Sequence, residues 1–270
     1  MLGSREITPA ILSVGIPRSI ESNTYKMPSI LTDFKLPSSA TTLGDYALAY
    51  AFRGHTVLTS IDLSKVTTVN TGSLLYTFYG CTGLTGTMDL SGMTTANKGS
   101  ALSYTFYGCN YITGLNLSNL STVTGSSVCA QIARGCTRLS SANFSNLTQI
   151  GTNSSAANYG HFSYAFYGTA ITELTFPKLT AIYCTGGTTA SYGTFSYNNT
   201  LQKLYFPKLT TIEYGSGASS SNRNAVKNLF SNCTNLTELH FAEANKSSIE
   251  ASSGYSTLWA ASNATAYFDL

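Results

Sequence analysis

The apolar residues of this chain fall into one figure, apolar-x-x-apolar-x-apolar, which returns from end to end. It opens at Ile11/Val14/Ile16 and Leu31/Phe34/Leu36 and passes through Leu58/Ile61/Leu63 and Ile112/Leu115/Leu117. It closes at Leu236/Leu239/Phe241 after nine units, of which Leu84/Met88/Leu90 carries one inserted residue. The last two apolar positions of a unit are two apart, so in extended backbone both point inward and the residue between them points out. Each unit therefore predicts one short strand. Self-similarity at a period of roughly 20 to 45 residues predicts that these strands stack in parallel as a solenoid.

Behind the strand, apolar residues spaced by three, such as Val66 and Val69 or Leu147 and Ile150, turn the chain back across the core. A segment ending in an aromatic then leads to the next strand: YAF at 50–52, YTF at 76–78 and 104–106, YAF at 164–166. Phe52, Phe78, Phe106, Phe166, Phe195 and Phe230 are expected to stack as one internal ladder, with Ile132 or Ala133 as a weaker rung. The longer units gain their length in Ser/Gly/Asn/Thr-rich stretches at 151–160 and 215–224, expected as polar loops on one side of the stack. From Ala242 the pattern decays, and Trp259 with a strand over 264–268 reads as a cap over the last unit.

Only 10% of residues are charged and the net charge is +3, so the chain lacks the basic field that neutralises many phosphates. Nucleic acid is excluded as a natural partner on that ground. No run of about 18 apolar residues occurs, so no helical membrane insertion is expected. MLGSREITPA shows no signal-peptide pattern, and a unit is already under way at Ile11; the expectation is a segment of a larger protein. The surface is built from Ser, Thr, Asn, Gly and the 18 tyrosines, a palette suited to adaptable recognition.

The succession LxxLx(L/F), then Ser or Pro, then paired apolars, then AFxxC or TFxxC, resembles the BspA-like leucine-rich repeats of bacterial surface proteins over residues 11 to 241. The resemblance implies an α/β repeat solenoid, a right-handed leucine-rich-repeat stack with one parallel β-sheet, mostly strands and loops with short helical turns. It would form a single domain over 1–270, with repeats at 11–241 and the cap at 242–270. It also implies a non-enzymatic, extracellular or cell-surface recognition module, an adhesin segment that binds a host or bacterial glycan or protein as a monomer. The alternative is a structural or receptor-binding part of a phage tail or fibre, expected as a trimer.

On the open sheet face the outward residues form a column that includes Asp62, Asp89, Asn116, Asn143, Tyr205 and His240. These are the candidate ligand-binding residues. Adjacent strands lie about 4.8 Å apart, so Asp62 and Asp89 are expected to face each other as like charges, relieved by a cation or a ligand hydroxyl, or tolerated on a solvated face. Tyr50, Tyr76, Tyr104 and Tyr164, with Tyr79, Tyr107 and Tyr167, form a second recurring stripe, either packed structurally or partly exposed for stacking on carbohydrate or protein.

Cys81, Cys109, Cys136 and Cys233 share one repeat position; adjacent rungs bring them within disulfide reach, although the position suits a small buried thiol. No CxxC and no suitably spaced His predict a metal site, and no cofactor motif is present. Glu238 and His240 form the one acid/base pairing on the exposed face, and no nucleophile motif accompanies it, so no catalytic residue is assigned.

Overall fold

The structure, a computed structural model, describes residues 27–153, 160–184, 193–214, 229–252 and 264–270. The unit at Ile11, most of the loop at 151–160, the loop at 215–224 and Trp259 lie outside these residues.

Each rung contributes a strand from the apolar triplet and, in most cases, a second strand from the paired apolar residues. The first four described rungs supply β1 (Asp33–Lys35) with β2 (Thr42–Leu43), β3 (Ser60–Asp62) with β4 (Thr68–Val69), β5 (Gly86–Asp89) with β6 (Thr95–Ala96), and β7 (Ile112–Asn116) with β8 (Thr122–Val123). The next supply β9 (Ser141–Asn143) with β10 (Gln149–Ile150), β11 (Glu173–Thr175) with β12 (Ala181–Cys184), β13 (Lys203–Phe206) with β14 (Thr211–Tyr214), and β15 (Glu238–Phe241). A 3-10 turn (Glu243–Asn245), helix α1 (Lys246–Ala251) and β16 (Thr265–Phe268) follow.

All strand pairings are parallel and join rung to rung, so the chain is a stack of turns with very little helix. One parallel sheet was expected; the structure carries a second. Strands β2, β4, β6, β8, β10, β12 and β14 form a continuous seven-stranded sheet behind the first. The paired apolar residues make it: Val123, Ile150 and Ile182 point into the core, and the preceding position, mostly threonine, faces out. At the end, β16 pairs in register with β15, placing Phe268 against Phe241 with centroids 5.4 Å apart.

The third side of each rung is a run of linked turns. Along it, alternate amides bond to the next rung, as Leu48 N–H does to the Ser73 carbonyl and Phe52 N–H to Thr77, while those between close local turns. The backbone enters the left-handed region every fourth residue, at Tyr50, Tyr76 and Tyr104 (φ 63°, 55°, 58°) and again at Gly54, Gly80 and Gly108 (φ 77°, 68°, 71°). The recurring glycine is explained by that φ, which costs an ordinary side chain roughly 1 kcal/mol or more.

The phenylalanine ladder divides into two columns. Phe52, Phe78 and Phe106 stack at 5.4 and 5.5 Å, but Phe195 stacks on Phe162, not on Phe166, at 5.5 Å and 6°, and Phe230 follows Phe195. The expected single ladder is corrected here. Phe195 lies six residues before its strand, as Phe52 does, yet its rung has lost one turn of the third side relative to the rung of Phe162, nine residues before Ile171. The buried Asn198 side chain takes the place of that turn. It accepts from Phe166 N–H (2.7 Å) and donates to the Phe162 (3.1 Å) and Phe195 (2.7 Å) carbonyls.

Cys81, Cys109, Cys129, Cys136 and Cys233 are buried free thiols, and Cys184 lies outside the described side chains. Four of them point each thiol at the carbonyl of the preceding rung: Cys81 to Phe52, Cys109 to Phe78, Cys136 to Phe106 and Cys233 to Phe195, at 2.9 to 3.0 Å. The repeated cysteine is thus a compact donor facing a buried acceptor. Burial pushes Cys81, Cys136 and Cys233 up to about 12 and raises Cys109 and Cys129 as well. Thiolate is the reactive form. Native protein at pH 8 is therefore expected to resist iodoacetamide at all five positions and to be fully alkylated in denaturant, read by peptide mass spectrometry; modification of Cys81 in the native protein would contradict this packing.

Candidate functional site

The open sheet face is not continuous. It falls into three blocks, β1 and β3, then β5, β7 and β9, then β11, β13, β15 and β16. The first break coincides with the extra residue before Met88. The second has a sequence cause as well: Phe166 stands five residues before Ile171, whereas Phe52, Phe78 and Phe106 stand six before Leu58, Leu84 and Ile112. The chain arrives one residue short, Ala170 N–H bonds to the Leu139 carbonyl (2.8 Å), and β11 starts out of register with β9.

This first break separates Asp62 from Asp89, and the two carboxylates do not form the expected facing pair. Asp62 accepts from Ser64 N–H (3.1 Å) and Ser64 Oγ (2.7 Å) and pairs with Lys35 Nζ (3.3 Å). The Ser64 hydrogen bonds, with Lys35 adding to them, hold its carboxyl below the usual range. Asp89 accepts from Ser91 N–H and from the Asn116 side-chain NH2, both at 3.0 Å. Asn116 and Asn143 in turn accept from Ser118 and Ser145 N–H (3.2 and 3.0 Å).

One local rule covers the column from Lys35 to Tyr205. Where the residue two positions on is serine, its free amide is met by an Asp or Asn side chain in an Asx-turn. Where that residue is Pro37, Pro177 or Pro207, no amide exists, and the column carries Lys35, Thr175 or Tyr205. The recurring Asn-x-Ser triplets have this structural origin.

Tyr205 and His240 do come together. The imidazole lies between Tyr205 (4.6 Å) and Tyr267 (5.1 Å), and its nitrogens meet Glu238 Oε2 (3.0 Å) and Asp269 Oδ1 (2.9 Å). Glu238 also pairs with Lys203 (3.0 Å); that lysine, and then His240, keep its carboxyl below the usual range. His240 is largely covered and braced on every side, an arrangement that locks the last rungs together. Tyr267 lies in the strand expected over 264–268 and Asp269 directly follows it, and neither is among the site residues that the sequence marks.

The second break opens a cleft of about 420 Å³ between β9 and β11. Asn143, Ser141, Glu173 and Thr175 line it. Glu173 is exposed and makes no hydrogen bond or ion pair among the described residues, although Lys203 lies within electrostatic range. The Asn143 NH2 group likewise donates to no described residue, since only its oxygen is used. The site thus offers a free carboxylate acceptor beside a free amide donor on a hydroxyl-rich floor. Glu173 escaped the sequence reading, although the missing residue between Phe166 and Ile171 marks the place. Among the described residues no group of three or more His, Cys, Asp or Glu is placed to hold a metal ion, and no helix is long and apolar enough to cross a membrane.

On the third side, the recurring tyrosines stack along the axis. Tyr50, Tyr76 and Tyr104 follow one another at 5.0 and 4.2 Å, Tyr79 and Tyr107 at 4.5 Å, and Tyr164 and Tyr197 at 4.1 Å. They are packed against one another along the axis and remain partly exposed.

No curated protein matches the sequence. The chain is similar to a leucine-rich repeat protein from Bacteroides ovatus ATCC 8483, at 17% identity and a TM-score of 0.33, over 78% of this chain and 55% of that one. It is also similar to a leucine rich cell surface protein from Faecalibacterium prausnitzii A2-165, at 14% identity and a TM-score of 0.35, over 87% of this chain and 63% of that one. The chain thus spans somewhat more than half the length of either. The family model described as BspA type leucine rich repeat region matches in six copies, over residues 18–160, 135–221 and 162–257. With the triplet strands, the parallel stack and this match over most of its length, the chain belongs to the BspA-type leucine-rich-repeat family.

Proposed function

We propose that this protein is a non-enzymatic recognition module displayed outside the cell or on its surface, an adhesin-type segment that binds a host or bacterial glycan. Repeats of its family generally serve as non-catalytic scaffolds. The observation that carries the reading is the cleft between β9 and β11, where Glu173 and Asn143 present an unspent acceptor and donor and Ser141 and Thr175 share the lining. A neutral sugar presents hydroxyls that both donate and accept, and such a floor can satisfy them without burying a lone charge. The rest of the outward column, Asp62, Asp89, Asn116, Tyr205 and His240, forms the rigid polar rail along which a longer glycan lies.

The test is binding of the whole chain to a broad glycan and matrix-protein array, beside Asn143→Ala with Glu173→Ala. Loss of glycan binding by at least tenfold in the double variant is the expected result. Unchanged binding would remove the cleft from the recognition surface, and binding to matrix proteins alone would overturn the glycan assignment.

A further inference from the structure

The tyrosine face carries a second feature, independent of the cleft on the sheet. Two columns run along it. The inner one reads Tyr50, Tyr76, Tyr104, Gln131, Tyr164, Tyr197, and the outer one Arg53, Tyr79, Tyr107, Arg134, Tyr167, as the rung-to-rung amide bonds align them. One rung breaks both columns at once: Gln131 and Arg134 stand where its neighbours carry rings.

The consequences are geometric. Loss of the inner ring opens a cleft of about 230 Å³, walled by Tyr104 and Gln131 and floored by Ser100, Ser127, Gly160 and Ser163. Gln131 is held in place, donating to the Tyr104 hydroxyl (2.5 Å) and accepting from Arg134 Nη1 (3.0 Å). The Arg134 guanidinium lies 4.6 Å from the Tyr164 ring centroid, 4.9 Å from Tyr167 and 5.6 Å from Tyr107. Arg53 lies in the same way over Tyr79 (4.9 Å) and Tyr76 (5.8 Å).

The charge is uncompensated. All the ion pairs among the described residues, those of Asp62, Glu238 and Asp269 with Lys35, Lys203 and His240, lie on the sheet face, and neither arginine has a carboxylate partner there. A guanidinium stacked on rings is fixed in orientation, so its remaining donors are arranged before a ligand arrives.

A flat aromatic wall, an oriented amide, serine hydroxyls and one preset cation at the mouth match a specific chemistry. We propose that the rung of Gln131 and Arg134 is a binding site for an acidic sugar residue, its ring against Tyr104, its hydroxyls on Gln131 and the serines, and its carboxylate or sulfate on Arg134. Arg53, three rungs away in the outer column, provides a second anion contact for a longer acidic chain.

The experiment is titration of the whole chain with a glucuronate-containing oligosaccharide, a sulfated oligosaccharide, a neutral glucose oligomer and an oligoglutamate peptide, at low and moderate salt. Three variants accompany it: Arg134→Gln, Gln131→Tyr and the Asn143→Ala, Glu173→Ala pair. Gln131→Tyr restores the ring carried by neighbouring rungs, so it tests the cleft in a fold that already accepts that side chain, and thermal melts confirm folding of each.

The expected result is binding of one or both acidic oligosaccharides, weakened by salt and reduced at least tenfold by Arg134→Gln and by Gln131→Tyr, with the sheet-cleft pair without effect. Which acidic probe binds identifies the anionic group. No acidic probe binding, binding of the neutral oligomer that Arg134→Gln and Gln131→Tyr reduce as much as they reduce acidic binding, or equal binding by wild type and both rung variants would overturn the site. Oligoglutamate binding that Arg134→Gln abolishes and Gln131→Tyr spares would overturn the sugar and reassign the arginine to an acidic protein segment.

Discussion

Asn198→Ala is expected to destabilise the protein by about 3 kcal/mol, because it leaves the buried Phe166 N–H without an acceptor, worth roughly 1 to 3 kcal/mol, and takes one donor from each of two buried carbonyls, worth roughly 0.5 to 1.5 kcal/mol apiece. The carbonyls are those of Phe162 and Phe195, which keep the Ala165 N–H and the Cys233 thiol as donors, and all three groups are met by one side chain that is itself fully buried. The single effects do not simply add, since the carbonyls can shift toward other donors, which is why the expectation lies below the upper sum. Asn199→Ala provides the comparison: it removes one partly buried bond, to Gly168 N–H (3.0 Å), and is expected to cost about 1 kcal/mol. Because a stack couples each rung mainly to its neighbours, hydrogen exchange in Asn198→Ala should rise over 160–214 well before it rises over 33–90. Denaturant melts of the two variants check the magnitude; equal effects would show that Asn198 does not substitute for the missing turn.

The second large effect is a loss of stability with acid that depends on His161. The side chain is fully buried, its ring nitrogens make no hydrogen bond within normal geometry, and burial, opposed in part by the backbone at Gly125, pushes its pKa down from the ordinary 6.5 to about 4. The folded chain therefore resists the proton that the unfolded chain accepts below 6.5. Stability is whole above that pH, declines as pH falls, and by pH 4 has lost about 3 kcal/mol, the free-energy equivalent of the shift. Val128 occupies the equivalent place on the preceding rung, aligned by the Cys129 to His161 backbone bond, so His161→Val is compatible with the packing. Urea midpoints between pH 7.5 and 4.5 should fall much less in His161→Val than in wild type. Parallel slopes would remove His161 as the cause. Asp62 and Glu238, held low by their partners, add a loss at still lower pH that both proteins share.

Much of this was legible residue by residue. The triplet strands were readable because a period of two is a local property of extended backbone, and the core followed from it: Leu58, Leu63, Leu90, Leu117 and Leu236 are all buried. The outward column was readable for the same reason. Its meaning was only partly so. Asp62, Asp89, Asn116 and Asn143 read as one polar ladder across the strands, and Asn116 does donate across to Asp89, but each of the four also turns an acceptor along the chain to the serine two residues on. The exchange of Asx for Lys35, Thr175 and Tyr205 before proline is a sequence signal that identifies this use.

Phe195 is the opposite case. Its distance to the next strand matches that of Phe52, so spacing alone assigned it to the wrong column. The column a ring joins depends on how many turns its own rung and the one below contain. That is a comparison between segments more than 30 residues apart.

The sequence by itself determined the parallel stack, most of the residues that fill it and the membership of the family, because each depends on a repeat that every unit states anew. The tertiary structure alone decided what the imperfections of the stack become: a parting between β9 and β11 that exposes Glu173, and a cleft at the rung where Gln131 and Arg134 interrupt the tyrosines. Local preference sets what each rung contains. Register between rungs is set by differences of one or a few residues in chain length, summed around each turn, and it is these differences that leave polar groups and charge unspent at the surface.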